Sequence, residues 1–344
     1  MIQAMKKAQI CLNIGSENYD RGELDEAFSW VTKAREIQEQ HKPDSADVAA
    51  TYGTIGAICK HRGQLHQALE WQMKAMAITE IHAPGSMDVA RTYGNIGNIF
   101  QACGQPDEAM KWQIKALAIN EIHAPGSMEV ARTYETIGLI FHTRGQLDEA
   151  LEWLMKSLTI QEKHAPCSMD VAATYGNIGN NFLDRGKLDE AMQWQNKALA
   201  IKEKHAPGGM EVASSYGNIG VIFQIRGQHD ASLTWMMKSL TIQEKHAPGR
   251  MDVAATYGTI GAICKNRGQV DEALDWQMKS LAIQEKHAPD SMDITATYGN
   301  IGSIFQARGQ LDEALEWQNK ALAIKEKHAP ASMDVADTDR KSVV

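Results

Sequence analysis

The sequence predicts an all-α protein, a right-handed α-solenoid (superhelix) of about eight stacked 41-residue helix-turn-helix repeats. Three observations predict it. The eight tryptophans stand at 30, 71, 112, 153, 194, 235, 276 and 317, every gap being 41 residues. A glycine (Gly22, Gly63, Gly104 and onward to Gly309) and a proline (Pro43, Pro84, Pro125 and onward to Pro330) keep the same step. Between these markers the apolar residues recur at the three- and four-residue spacing of a helix. A fixed period of 20–50 residues is the mark of a repeat architecture. No break in composition interrupts it over the 344 residues. One continuous array over 1–330 is expected, with a divergent first repeat at 8–48 and seven regular repeats over 49–330. Residues 331–344 are expected to start a further helix or to form a tail.

One unit, 88–128, shows how each element arises. Val89, Tyr93, Ile96, Gly97 and Phe100 give the first segment a helical apolar stripe. Gly104 ends it, as a glycine just past a helix C-terminus does. Pro106 fits the first position of a second helix, followed by Asp107 and Glu108 at its positive end. Ala109, Trp112, Ala116 and Ile119 form the apolar stripe of that helix, and Met110, Ile114 and Leu117 widen it. So broad a stripe means burial on more than one side. Pro125 stops the second helix. A helical pair cannot bury both faces alone, so neighbouring pairs must stack and share a core, with the first helices lining a concave side.

These residues resemble the tetratricopeptide repeat. The pattern of that family is matched by Tyr93, Ile96-Gly97, Phe100, Gly104, Ala109 and Ala116, and in the other copies through Tyr52, Tyr134, Tyr175, Tyr216, Tyr257 and Tyr298. The usual unit of the family is about 34 residues. The longer unit here, with its P-x-x-M-D-V-A entry, is most similar to kinesin light chain and nephrocystin-type repeats. The resemblance implies a non-enzymatic scaffold that binds a peptide or partner protein in the groove of the first helices, adaptor-like or cargo-recognising. The alternative is the regulatory or sensing region of a larger multidomain protein. Two departures stand out. Gln72, Gln113, Gln195, Gln277 and Gln318, with Leu154 and Met236, occupy the place where the family has an aromatic, and Trp sits one residue earlier. The contact between the helices is therefore expected to turn by about 100° around the second helix. In the first repeat Cys11 and Asn18 replace the Tyr and the Phe, as suits an N-terminal cap.

Candidate binding residues lie on the open face of the first helices. One position reads Asn13, Thr54, Asn95, Thr136, Asn177, Asn218, Thr259, Asn300. An Asn amide both donates and accepts, so such a ladder can hold an extended backbone whatever its side chains; bonds to neighbouring helices are the alternative. Asn98, Asn180, Gln101, Gln224 and Gln306 are expected beside it. The preceding position is Gly53, Gly94, Gly176, Gly217, Gly258 and Gly299, with Glu135 as the charged exception. Glycine inside a helix costs ~1 kcal/mol against alanine. Close helix packing is the preferred reason, close approach of a ligand the other. The same glycines count against a carboxylate-clamp subtype, which needs Lys there. Lys60, Arg91 and Arg132 reach the groove in successive repeats and could grip an acidic peptide, unless Arg91 and Arg132 only pair with Asp88 and Glu129 three residues before them.

Composition and motifs exclude other classes. The net charge is −8, from 43 acidic against 35 basic residues, which argues against nucleic acid as a partner. The five cysteines show no disulfide or zinc spacing; Cys59 and Cys264 share a core phase, and a reducing, cytoplasmic setting fits. No apolar run reaches the ~18 residues of a membrane span. The H-A-P histidines lie roughly 10 Å apart from repeat to repeat, too far to share a metal, and no catalytic motif is present. No enzyme activity, cofactor, metal or membrane is expected. End-to-end self-association through an uncapped C-terminal repeat is expected. The close match of 49–80 to 254–285 also fits recent duplication.

Overall fold

The computed structural model describes residues 1–328, and the expected further helix or tail after 330 lies outside them. Among the described residues there are sixteen α-helices and no strand. They fall into two compact units, Met1–Asn181 and from Phe182 onward. Each unit is an α-solenoid of antiparallel helix pairs.

The first unit holds α1 (Ile2–Asp20), α2 (Leu24–His41), α3 (Ala46–His61), α4 (Leu65–His82), α5 (Met87–Ala102), α6 (Pro106–His123), α7 (Met128–Thr143), α8 (Leu147–His164) and α9 (Met169–Asp184) as far as Asn181. The helix boundaries follow from local chemistry. Ser45, Ser86 and Ser127 cap α3, α5 and α7, each hydroxyl accepting from a backbone N–H three residues on at 3.3–3.4 Å. Gly104 turns the chain out of α5 with φ +69, a conformation that side chains resist. Pro106 is the first residue of α6, and α6 ends at His123 ahead of Pro125. Each pair then packs on the next: α2 on α3, α4 on α5, α6 on α7. The first helices of adjacent repeats also touch one another, α3 with α5 and α5 with α7. That closer approach makes their side the inner one.

The core of this unit is a file of isoleucines and valines, with Ile55, Ile58, Ile96, Ile99, Ile137 and Ile140 all at most 1% exposed. Each contributes about 1.5–3 kcal/mol by leaving water. The second helices differ from expectation. The most buried line of α6 is Ala109, Gln113, Ala116 and Asn120, with Met110 and Leu117 beside it. Trp112 and Ile119 are half-buried, and Ile114 is exposed. Ile114 follows Gln113 by one residue, about 100° around the helix from the buried line. Buried amides hold their places by hydrogen bonds. Gln113 Nε2 donates to Gly94 O at 3.0 Å and to Asn98 Oδ1 at 2.9 Å, and Asn120 Nδ2 to Thr133 Oγ1 at 3.2 Å.

Trp112 leans on Tyr93 of its own repeat with ring centroids 5.3 Å apart. The Tyr93 hydroxyl donates to Glu80 of the repeat before at 2.5 Å. A second link, from Arg144 to Asp107 at 2.5 Å, joins neighbouring repeats through residues 37 apart; Arg62 and Asp25 form the same pair at 2.6 Å. His164 adds a third, donating from Nε2 to Gly126 O at 2.9 Å. His246 and His328 make the same bond, so these three H-A-P histidines clasp the preceding loop.

The second unit holds the end of α9, α10 (Leu188–His205), α11 (Met210–Ile225), α12 (His229–His246), α13 (Met251–Asn266), α14 (Val270–His287), α15 (Met292–Ala307) and α16 (Leu311–His328). It repeats the same devices: Tyr257 donates to Glu244 at 2.6 Å, Arg226 pairs with Asp189, and α13 touches α15. Cys264 is buried here, as Cys59 is in the first unit.

Candidate groove of the first helices

The first helices present their open faces to a row of clefts. In the first unit a cleft of about 550 Å³ lies between α3 and α5, floored by Gly53 and Gln72 and edged by Thr54 and Asn95. A second, of about 320 Å³, lies between α5 and α7, with Gly94 and Gln113 at its floor and Asn95 and Thr136 at its edges. The two share Asp88, Arg91 and Asn95, so they form one furrow. In the second unit a cleft of about 500 Å³ lies between α13 and α15, lined by Gly258, Thr259 and Asn300.

The expected residues divide on this geometry. Asn95, Asn98, Arg91 and Arg132 line the furrow of the first unit. Gln224 and Asn300 line the cleft of the second. Lys60, Gln101, Asn177, Asn180, Asn218 and Gln306 do not line these three clefts. Asn98 is engaged by Gln113, and Asn177 by Glu135, whereas Asn95 makes no side-chain hydrogen bond among the described residues. Arg91 does pair with Asp88, at 2.7 Å. Arg132 is exposed and makes no ion pair with Glu129 or any other described residue. Burial lowers the Lys60 ammonium below the usual lysine range.

Packing does not demand the ladder glycines Gly53, Gly94, Gly217, Gly258 and Gly299. A Cβ on Gly53 or Gly94 would meet only the Gln72 or Gln113 side-chain oxygen, at 4.0 and 3.9 Å. On Gly258 it would stand 3.6 Å from Ser280 Oγ, and on Gly299 nothing lies within 4 Å. Packing instead claims the glycines three residues later. A Cβ on Gly56 or Gly97 would fall 2.7 Å from the Gln72 or Gln113 Nε2. At the place of the family aromatic, Gln72 and Gln113 contact these glycines and donate to the backbone carbonyls of Gly53 and Gly94.

Glu135 fills the ladder-glycine place in the fourth repeat. Its Oε1 accepts from Asn177 Nδ2 at 2.9 Å, and Gln161 Nε2 lies 3.5 Å from Oε2. Burial raises its carboxyl above the usual range, partly offset by these bonds. Neither the Arg–Asp links nor the serine caps were foreseen, although both recur in the sequence at the 41-residue step. Among the described residues no group of three or more His, Cys, Asp or Glu could hold a metal ion. None of the described helices is long and apolar enough to cross a membrane.

Stacked helical pairs with a furrow along their first helices define a helical-repeat protein. The chain belongs to the tetratricopeptide repeat family, whose model matches residues 8–81, 88–163, 170–245 and 252–327. No curated protein matches it. Among solved structures it is similar to the apo form of the quorum sensor NprR from B. thuringiensis, at 12% identity and a TM-score of 0.72, over 92% of this chain and 87% of that one. It is similar to BtubC (BKLC) from P. vanneervenii, at 18% identity and a TM-score of 0.57, over 65% and 91%. A putative kinesin light chain of P. anserina with nearly identical repeats aligns at 18% identity and a TM-score of 0.50, over 58% and 96%.

Proposed function

We propose that the protein is a non-enzymatic interaction scaffold whose first-helix furrow takes an extended peptide segment of a partner protein. The observation that carries this reading is the continuity of the two clefts of the first unit through Asn95, whose amide is uncommitted. A rigid, preformed furrow lowers the ordering cost of binding an extended chain. Arg132, exposed and unpaired at one edge, offers a bidentate seat for a carboxylate. An acidic segment is therefore the favoured ligand, although Asp88 and Glu129 also line the furrow and set the charge pattern it must match.

The fold shared with NprR and the kinesin light chain supports a binding role; an adaptor or cargo-recognising task rests on the longer, kinesin light chain-like unit. Free buried thiols at Cys59 and Cys264 suit a reducing, cytoplasmic setting. The test is charge reversal. Arg132→Glu and Arg91→Glu, separately and together, are measured by fluorescence anisotropy against labelled peptides of alternating glutamate and serine. Loss of at least about tenfold in affinity is expected, the factor that ~1.4 kcal/mol gives. Unchanged affinity in the double variant rules the acidic ligand out.

A further inference from the structure

We infer that the ladder glycines hold ligand clefts open and that Glu135 shuts the furrow of the first unit, so that a bound chain seats over Gly53 and Gly94 and stops at the fourth repeat. This deepens the peptide reading of the furrow and rests on it.

These glycines are costly inside a helix, and among the described residues nothing stands closer than 3.6 Å to a Cβ added at Gly53, Gly94, Gly217, Gly258 or Gly299. Glu135 itself shows that a long side chain fits at this place in the helix. What the missing side chains leave is room on the ligand side. Gly53, Gly94 and Gly258 each line a cleft.

The floor beneath is also chemically prepared. Gln72 is 1% exposed, lines the cleft, and spends its Nε2 on Gly53 O at 2.8 Å. Its Oε1 is buried, accepts no hydrogen bond among the described residues, and lies 4.0 Å from where a Gly53 Cβ would stand. A buried acceptor directly under an open floor calls for an N–H donor. The backbone amide of an extended chain, which offers donors at regular intervals, meets that requirement. The second unit repeats the arrangement: Gln277 Nε2 donates to Gly258 O at 2.8 Å, and its unpaired Oε1 lies 4.0 Å from the Gly258 Cβ position.

In the fourth repeat both halves of the device change together. Leu154 replaces the glutamine, removing the acceptor, and Glu135 replaces the glycine. The Glu135 carboxylate crosses to α9 and occupies the ladder amide of Asn177. A chain moving along α3, α5 and α7 therefore meets a carboxylate in the place of the glycine, with the next ladder amide already taken.

Two experiments test this, each preceded by a far-UV circular dichroism melt. The first needs no ligand. Gly94→Ala is expected to raise the melting temperature; a fall would show that packing demands the glycine and would overturn the inference. The second uses alternating glutamyl-seryl peptides of increasing length. With the natural protein, affinity rises with length and then levels off. Gly94→Glu, copying Glu135, is expected to weaken binding by about tenfold or more. Glu135→Gly is expected to move the levelling-off point by about three residues, the number that spans one ~10 Å layer at ~3.3 Å per residue. Binding that depends on Arg132 but ignores Gly94→Glu and Glu135→Gly overturns this inference alone. Absence of any Arg132-dependent binding, with Gly94→Ala still stabilising, removes the peptide reading and the seated chain with it.

Discussion

The Tyr134 hydroxyl donates to Glu121 Oε1 at 2.6 Å, from the first helix of one repeat to the second helix of the repeat before. Tyr52, Tyr93, Tyr216 and Tyr257 make the same bond at the same thirteen-residue separation. Partial burial and this hydrogen bond push the Tyr134 phenol up to about 12, from the ordinary 10.0. At Tyr216 the bond to Glu203 is the larger cause and burial the second. A raised folded-state value means the unfolded chain releases its phenolic protons first. The stability these tyrosines contribute is thus intact below pH 10 and lost as the pH climbs towards 12. Tyrosinate absorbance and circular dichroism followed together should show ionisation delayed well past that of free tyrosine. Ionisation at the ordinary value with the helices intact would contradict it.

Removing one such bond isolates it. Tyr134→Phe keeps the ring against Trp153, whose centroid is 5.2 Å away, and deletes only the donor. A loss of about 0.5–1.5 kcal/mol is expected from chemical denaturation. No change would mean that the solvated carboxylate gains nothing from the phenol.

The links between Arg and Asp have one gap with a matching partner. Asp25, Asp107, Asp189 and Asp230 receive Arg62, Arg144, Arg226 and Arg267. In the single place where His66 stands for the aspartate, Cys103 stands for the arginine. Restoring both, His66→Asp with Cys103→Arg, should stabilise the protein relative to the sum of the single changes. The aspartates are largely exposed, so the coupling should be about 0.2–1 kcal/mol and shrink in salt. A double-mutant cycle in low and high salt measures it, and zero coupling would mean that the link contributes nothing there.

Glycines on the two faces of a first helix should respond oppositely to alanine. At Gly138 a Cβ would meet Leu154 Cγ at 3.0 Å and the Ala150 backbone oxygen at 3.1 Å. Backbone cannot step aside, so Gly138→Ala should cost about 1–3 kcal/mol. Gly53→Ala should instead stabilise by about 0.4–1 kcal/mol. Thermal and urea melts of the two variants side by side decide the matter, and equal signs would refute the division.

Most of the scaffold was legible because its markers act locally. Gly104 needs its unusual backbone angle, Pro106 its helix start and Pro125 its stop, and each announces itself by residue type. The furrow was less legible. Gln113 and Asn120 are polar, so a hydropathy pattern places them outside, whereas paired amides sit on the most buried line of α6. Ile114 misled in the other direction. The Arg144–Asp107 link spans 37 residues, and only comparison between copies, where His66 and Cys103 change together, betrays it. The role of the ladder glycines turned on a distance that no sequence prints.

Every device that joins one repeat to the next works at short range along the chain. The link from Glu135 to Asn177 spans 42 residues, and those from Arg144 to Asp107 and from Arg226 to Asp189 span 37. Such a molecule has low contact order, and assembly can nucleate at any adjacent pair of hairpins and spread outward. The same locality carries a hazard. Segments as alike as 49–80 and 254–285 offer one another nearly equivalent surfaces during refolding, so the errors to expect are swapped neighbours between molecules.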